Sequence, residues 1–399
     1  MHPINPTRRQ LLRGLLATSG AALVTNLPGL AFSATPSTDG KRFILVILRG
    51  AMDGLAAVAP YGDPALAALR RPLLTPENQL LKLDSFFGLH PAFTSLHTLY
   101  QQSELLVCHA VASPYRKRSH FDAQNVLENG FTLPDETASG WLNRCLPLLP
   151  SSNGASSPAI AVGQSVPEVL LGNDNVASWS PPRFPSPNEN TLTRLQQLYS
   201  NDPFLGERLD QALAANGLIG DTMGNQKTKM QDFNVLVDAA ATFLSQDQGP
   251  AIAVLESDGW DTHANQGGKE GQLASKFAQL DTGLGRLKKG LGEHWRNTVV
   301  AVVTEFGRTA AVNGTQGTDH GTAGVALLLG GAVQGGKMHT DWPGLANGNL
   351  YQQRDLAPTT DLRAIFKTVL RDHLGLDGKQ IEDSVFPESS KAGYIQGLV

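Results

Sequence analysis

The run Phe43-Ile-Leu-Val-Ile-Leu48 holds six apolar residues with no polar one among them. A strand on a half-solvated sheet alternates apolar and polar, so an unbroken run predicts a strand covered on both faces, as in a parallel sheet. The pattern recurs in "ELLVCHAVA" (104–112), "PAIAVG" (158–163), "PAIAVLES" (250–257), "NTVVAVVT" (297–304) and "GVALLLGG" (324–331). Helical stretches separate these runs. "FTSLHTLYQQ" (93–102) is one, and "SHFDAQNVLENG" (119–130) is another, with Ser119 at its start and Gly130 at its end. "KMQDFNVLVDAAATFLSQ" (229–246) is amphipathic, and Leu273, Phe277, Leu280, Leu284, Leu287 and Leu291 keep helical spacing over 272–291. A last helix, "TTDLRAIFKTVLRDHLG", opens at a Thr/Asp cap and closes at Gly375. Strand–helix alternation of this kind predicts an α/β fold: a mostly parallel central sheet flanked by helices on both faces. No internal repeat is present.

The first 33 residues read separately. Arg8 and Arg9 precede the short apolar stretch "LLATSGAALV", and "AFS" offers Ala31 and Ser33 as small residues for cleavage. This order is that of a secretory signal, and the paired arginines give it the form of a twin-arginine signal, which exports folded proteins. It predicts a periplasmic or secreted protein, with the twin-arginine export machinery as a partner. Residues 1–33 carry three arginines and no acid, so their removal takes the formal charge from −4 to −7. That acidity offers no basic patch for nucleic acid or anionic lipid. No later segment is long and apolar enough to span a membrane. Residues 34–399 are expected to form a single domain, with an irregular insertion at about 164–225 centred on "SWSPPRFPSPNEN". Cys108 and Cys145 can pair in an oxidising compartment, but Cys108 lies in an apolar run, and two unpaired packing thiols are the better expectation.

Ligands in open α/β sheets bind beyond the carboxyl ends of the strands. "FILVILRG" is followed by Asp53, and "LLVCHAVA" by Ser119 and His120. "AIAVLES" is followed by Asp258, Asp261 and His263, and "TVVAVVT" by Glu305 and Arg308, while Asp319 and His320 precede "GVALLLGG". Each has a plain structural reading. Asp53-Gly54 suits a turn, Ser119 an N-cap, Asp261 an Asx turn beside a surface His263, and Glu305 with Arg308 an ion pair. Five strand ends enriched together in imidazole and carboxylate point instead to one shared site. His90, His97, His109, His294, His339 and His373 have no such company and are expected to be structural.

The signal, "ILRGAMDGL", "RSHFDAQNVLENG", "SDGWDTH", "VVTEFGRT" and "DHGTAGVALLLGG" together resemble the bacterial family called domain of unknown function 1501, over essentially the whole mature chain. That family is similar to the alkaline phosphatase–sulfatase superfamily. The resemblance implies an alkaline-phosphatase-like α/β/α fold and a metal-dependent nucleophile acting on phosphate or sulfate esters. By resemblance Asp53 falls at the first-strand metal carboxylate, Ser119 at the nucleophile, and Asp261, His263 and His320 at three ligands of one metal. Glu305 falls at the Asp of an Asp-His pair on a second metal. The chain departs there, because Phe306 stands where the His would follow, and Asp261 and His263 are closer in sequence than usual. Ser113 lies in the same loop as Ser119.

The donor chemistry is compatible. One oxygen and two nitrogens from Asp261, His263 and His320 suit catalytic zinc with an open position. Asp53 and Glu305 suit Mg, Ca or Mn, with His120 or Asp319 available to complete a second site. Ser119, His120 and Arg308 are the expected catalytic group, with Arg308 clamping a phosphate or sulfate oxygen. The functional expectation is an exported metal-dependent hydrolase of a small anionic ester or of a sulfated or phosphorylated glycan. The alternative is a non-catalytic envelope or polysaccharide-associated protein on a degenerate version of the fold. A Ser-His-Asp hydrolase is disfavoured, since no G-x-S-x-G elbow is present.

Overall fold

The computed structural model describes residues 40–135, 138–149, 157–181, 189–199, 202–210, 212–213, 232–246 and 249–399. The signal segment 1–33 and part of the 164–225 region lie outside the described residues. Among the described residues the main sheet has nine strands: β1 (Arg42–Leu48), β2 (Leu105–Ala112), β3 (Ala159–Val162), β4 (Ala177–Trp179), β5 (Ile252–Ser257), β6 (Thr298–Thr304), β7 (Gly324–Leu329), β8 (Lys337–His339) and β9 (Thr360–Asp361). Their order is β8-β2-β7-β6-β1-β5-β3-β4, with β9 also paired to β2. β1 lies parallel between β5 and β6.

Every residue of β1, β2, β6 and β7 is buried, as their unbroken apolar runs require. Alternate residues serve opposite faces. Ile44, Val46 and Leu48 pack with Leu96 of α1 (Thr94–Gln101), Phe243 of α4 (Phe233–Leu244) and Phe277 of α5 (Gln272–Leu291). Phe43, Leu45 and Ile47 pack with Leu127 of α2 (His120–Asn129), Trp141 of α3 (Trp141–Cys145) and Phe366 of α6 (Leu362–Thr368). The result is an α/β sheet with helices on both faces.

Two details differ from the sequence expectation. β7 runs antiparallel to both β6 and β2, so the sheet is mixed on that side. Within the region expected to be an irregular insertion, Ala177–Trp179 joins the sheet as a parallel edge strand beside β3. Its three residues are too short a run to show a period. Among the described residues, no helix is long and apolar enough to cross a membrane. Cys108 and Cys145 are free and buried, and burial raises both thiols well above their ordinary range.

Candidate metal centre

The reversed strand β7 builds the site. β1, β2, β5 and β6 run the same way, so their carboxyl ends share one edge of the sheet. β7 starts from that edge, so the loop from Glu305 to Ala323 leaves and re-enters the sheet at the same level. Glu305, Arg308, Asp319 and His320 are thereby returned to the ends of β1 and β5. Close backbone approach is needed there. Gly50 has φ +113°, and a Cβ on it would meet the Asp261 amide nitrogen at 2.7 Å. A Cβ on Gly317 would meet the His263 carbonyl carbon at 2.3 Å.

Three imidazoles converge. His320 Nε2 lies 2.9 Å from His120 Nε2 and 2.9 Å from His263 Nε2. Asp261 Oδ1 lies 3.0 Å from His263 Nε2, 3.4 Å from His320 Nε2 and 3.6 Å from His120 Nε2. The opposite nitrogen of each ring is anchored. His120 Nδ1 is 2.7 Å from Glu305 Oε1, His320 Nδ1 is 3.0 Å from the Arg118 carbonyl, and His263 Nδ1 is 3.3 Å from Asp319 Oδ1.

These anchors set the tautomers. A carbonyl only accepts, so His320 Nδ1 carries its proton. Burial would raise Glu305, but bonds from His120, its own backbone, Gln124 and Gly50 hold it at about 2, so it faces His120 Nδ1 as a carboxylate. Asp319 is held below the carboxylate range by Asn313 and then, against partial burial, by His263. Glu305 raises the His120 pKa against burial, so a proton and an ion compete for its Nε2; in the tautomers with every proton on Nδ1, three bare Nε2 lone pairs face one another and a carboxylate oxygen. That arrangement is repulsive without a cation, and it is the tautomer that metal-binding histidines adopt. Three carboxylates (Asp261, Glu305, Asp319) outnumber the guanidiniums of Arg308 and Arg354 beside them, which leaves net negative charge for a divalent ion to offset. The residues therefore fit a dication with three nitrogen ligands and one oxygen, and His120, Asp261 and His320 meet ligand spacing as a group. Asp261, whose side chain is 42% exposed, and His263, 43% exposed, leave the centre open to solvent.

The other expected site residues are placed differently. Asp53 is fully buried: one oxygen caps the turn at Ala56 N, and the other takes Arg70 and, at 2.8 Å, Gln266 Nε2. A carboxylate saturated by a buried arginine and an amide is a structural anchor rather than a metal ligand. Glu305 does not pair with it around a second ion, because its oxygens serve His120, Gln124, Gly50 and Thr304. Asp319 contacts His263 from behind. Arg308 departs most from expectation. Its side chain has no exposure, and it donates to the carbonyls of Ala51, Thr318, Gly50 and Trp260 and to Asp261 Oδ1 at 2.5 Å. It orients Asp261 and does not reach out to clamp an anion. Burial opposes ionisation of Asp261, but Arg308 first, then His263 and His120, keep it below the carboxylate range. Ser119 precedes α2 without capping it by its side chain, and the neighbouring Tyr115 phenol donates to Asp122 Oδ2 at 2.8 Å.

Phe306 stacks on His120, with centroids 4.9 Å apart and planes at 29°, and also lies 5.1 Å from His320. It walls the cluster on the side of His120 and His320. Sequence reasoning missed Arg118, whose carbonyl holds His320, and Gln124, which supports Glu305. Arg118 has φ +62°, a conformation that no short motif announces.

A family model described as "Protein of unknown function (DUF1501)" matches residues 90–385. No curated protein matches. Similar solved structures include the phosphonate monoester hydrolase of Agrobacterium radiobacter, at 12% identity over 84% of this chain and 74% of that one, with TM-score 0.39. The C-terminal periplasmic domain of EcEptC from Escherichia coli, in complex with Zn, is 13% identical over 94% and 96%, with TM-score 0.39. The PsFucS1 sulfatase from Pseudoalteromonas sp. is 13% identical over 89% and 71%, with TM-score 0.40.

Proposed function

The chain belongs to the family described as Protein of unknown function (DUF1501), and we propose that it is an exported metal-dependent hydrolase of phosphate or sulfate esters built on a single-ion centre. The observation that carries the reading is the convergence of three Nε2 atoms and Asp261 Oδ1, each ring locked from behind through Nδ1. His120, Asp261, His263 and His320 would hold the ion, with zinc favoured by the nitrogen-rich donor set. A bound dication would supply Lewis acidity at an ester oxygen and ease deprotonation of a neighbouring hydroxyl or water. Ser119, next in the chain to His120 and at the start of α2, is the nucleophile in this reading. Glu305, Asp319 and the Arg118 carbonyl keep the imidazole protons away from the reacting side. The same reading puts the protein in the periplasm or outside the cell, exported by the twin-arginine machinery, acting on a small ester or an esterified glycan.

A second reading, a non-catalytic envelope or polysaccharide-associated protein, is favoured by two features. Phe306 fills the place of a second-ion ligand, and Arg308 is withdrawn from any anion. Elemental analysis of residues 34–399 and turnover of aryl phosphate and sulfate esters separate the two. The hydrolase reading expects about one ion per chain and activity that falls at least about a hundredfold on chelation, in His263→Ala and in Ser119→Ala. Bound metal without turnover of any ester supports the second reading. Activity indifferent to chelation and to both variants overturns the first.

A further inference from the structure

Behind the imidazole cluster lies a cavity of about 260 Å³ whose wall includes Asp319, Arg354, Asn347 and Gln353 as polar residues, with Leu345 and Leu350 among the apolar ones. Two of the polar residues belong to the support of the metal centre. Asp319 Oδ1 holds His263 Nδ1, and Arg354 Nη1 donates at 2.9 Å to the His320 carbonyl. The cavity and the centre therefore share a wall. What remains unused on that wall defines the ligand. Asp319 Oδ1 takes both Asn313 and His263, which leaves Oδ2 without a partner among the described residues, on a side chain 49% exposed. Arg354 uses only Nη1, toward His320 and Asp355, so its Nε–H and Nη2–H groups are free among the described residues. The amides of Asn347 and Gln353 are exposed.

A free carboxylate oxygen and free guanidinium donors on one wall disfavour a simple anion, which meets Asp319, and a simple cation, which meets Arg354. A hydroxyl group donates to the first and accepts from the second. The two amides add a donor and an acceptor each, and the leucines offer apolar contact to C–H edges. The volume is below the roughly 300–1,000 Å³ typical of drug-sized pockets, and it suits a single ring. We propose that this cavity is a binding subsite for one neutral polyhydroxylated ring, a sugar unit or cyclic polyol. Only the direction in which the ring presents an ester, toward the cluster across Asp319, rests on the hydrolase reading. Binding itself does not.

The test is ligand-observed NMR on the metal-loaded mature protein, with methyl galactoside, methyl glucoside, methyl fucoside and myo-inositol as probes and inorganic sulfate and phosphate beside them. At least one polyol is expected to bind in the millimolar range. Asn347→Trp, at an exposed rim position where folding is checked by melting temperature, is expected to weaken it at least about tenfold. Absence of binding by all four polyols, equal binding by Asn347→Trp, or binding by the inorganic anions alone overturns the proposal. Polyol binding without ester turnover would sink the hydrolase reading and leave the subsite standing. Turnover without polyol binding would do the reverse.

Discussion

Glu305 places one oxygen on His120, Gln124 and the Gly50 amide and the other on Thr304, with no exposure of its side chain. Its work at the centre is orientation: it keeps the His120 proton on Nδ1 and so leaves Nε2 free. Glu305→Gln keeps an acceptor for His120 and nearly the same volume, so the fold should hold within about 1–2 kcal/mol. Metal affinity, read by competition with a chromogenic chelator, should fall about 10- to 100-fold, as is typical when the partner of a metal-bound histidine is weakened. Unchanged affinity would mean that Glu305 is only a buried hydrogen-bond hub. At this scale the sequence conveyed residue types but not roles. His263 and His320 were legible as a converging pair because each stands beside an aspartate at a strand end. Asp53 and Arg308 looked equally chemical, yet their partners, Arg70 and the Ala51 and Thr318 carbonyls, come from segments whose approach no local pattern encodes.

The elements were legible where burial on both faces left an apolar run, unbroken within β1 and β6 and interrupted by His109 alone in β2, and where caps were explicit, as at Gly130 with φ +77°. The direction of β7 was not, because "GVALLL" reads the same in a parallel or an antiparallel setting. That direction decides the site, since it returns His320 to the end of β1. The junction between β1 and the site is correspondingly tight. Gly50 combines φ +113° with contact against the Asp261 backbone, so Gly50→Ala adds both strain and a clash with an immovable neighbour. Chemical denaturation should show a loss of about 2 kcal/mol or more, with weakened metal binding because Asp261 is displaced. Gly348→Ala, where a Cβ meets nothing within 4 Å, is the comparison and should stay within about 0.5 kcal/mol of wild type. Equal behaviour of the two variants would remove the argument for close approach at the end of β1.

Across the whole molecule, the closing contact joins segments 331 residues apart. His373 Nε2 lies 2.9 Å from the carbonyl of Arg42, at the start of the central strand. A carbonyl requires a proton on that nitrogen, so the neutral ring satisfies the contact, and burial lowers the His373 pKa from 6.5 to about 4. Buried His109 is lowered to about 4 as well, with Nδ1 accepting from the Ala110 amide and Nε2 facing the Val58 carbonyl. Each is depressed in the folded state, so below 6.5 the unfolded chain binds a proton that the folded chain refuses until about pH 4. Stability from these residues is complete above that window and is lost as pH falls through it. Glu168, raised to about 7 by burial and by Glu128, works in the opposite sense, so the absolute slope mixes contributions. Comparison of wild type with His373→Gln isolates one of them, because glutamine keeps an N–H for Arg42 and does not titrate. Unfolding free energies from urea melts between pH 6 and 4.5 should fall less steeply in the variant, by up to about 1.4 kcal/mol per pH unit, the value of one proton. Identical slopes would mean that His373 titrates alike in the folded and unfolded chains, and that its contact with the Arg42 carbonyl persists as a charge-assisted hydrogen bond rather than the neutral one its burial dictates.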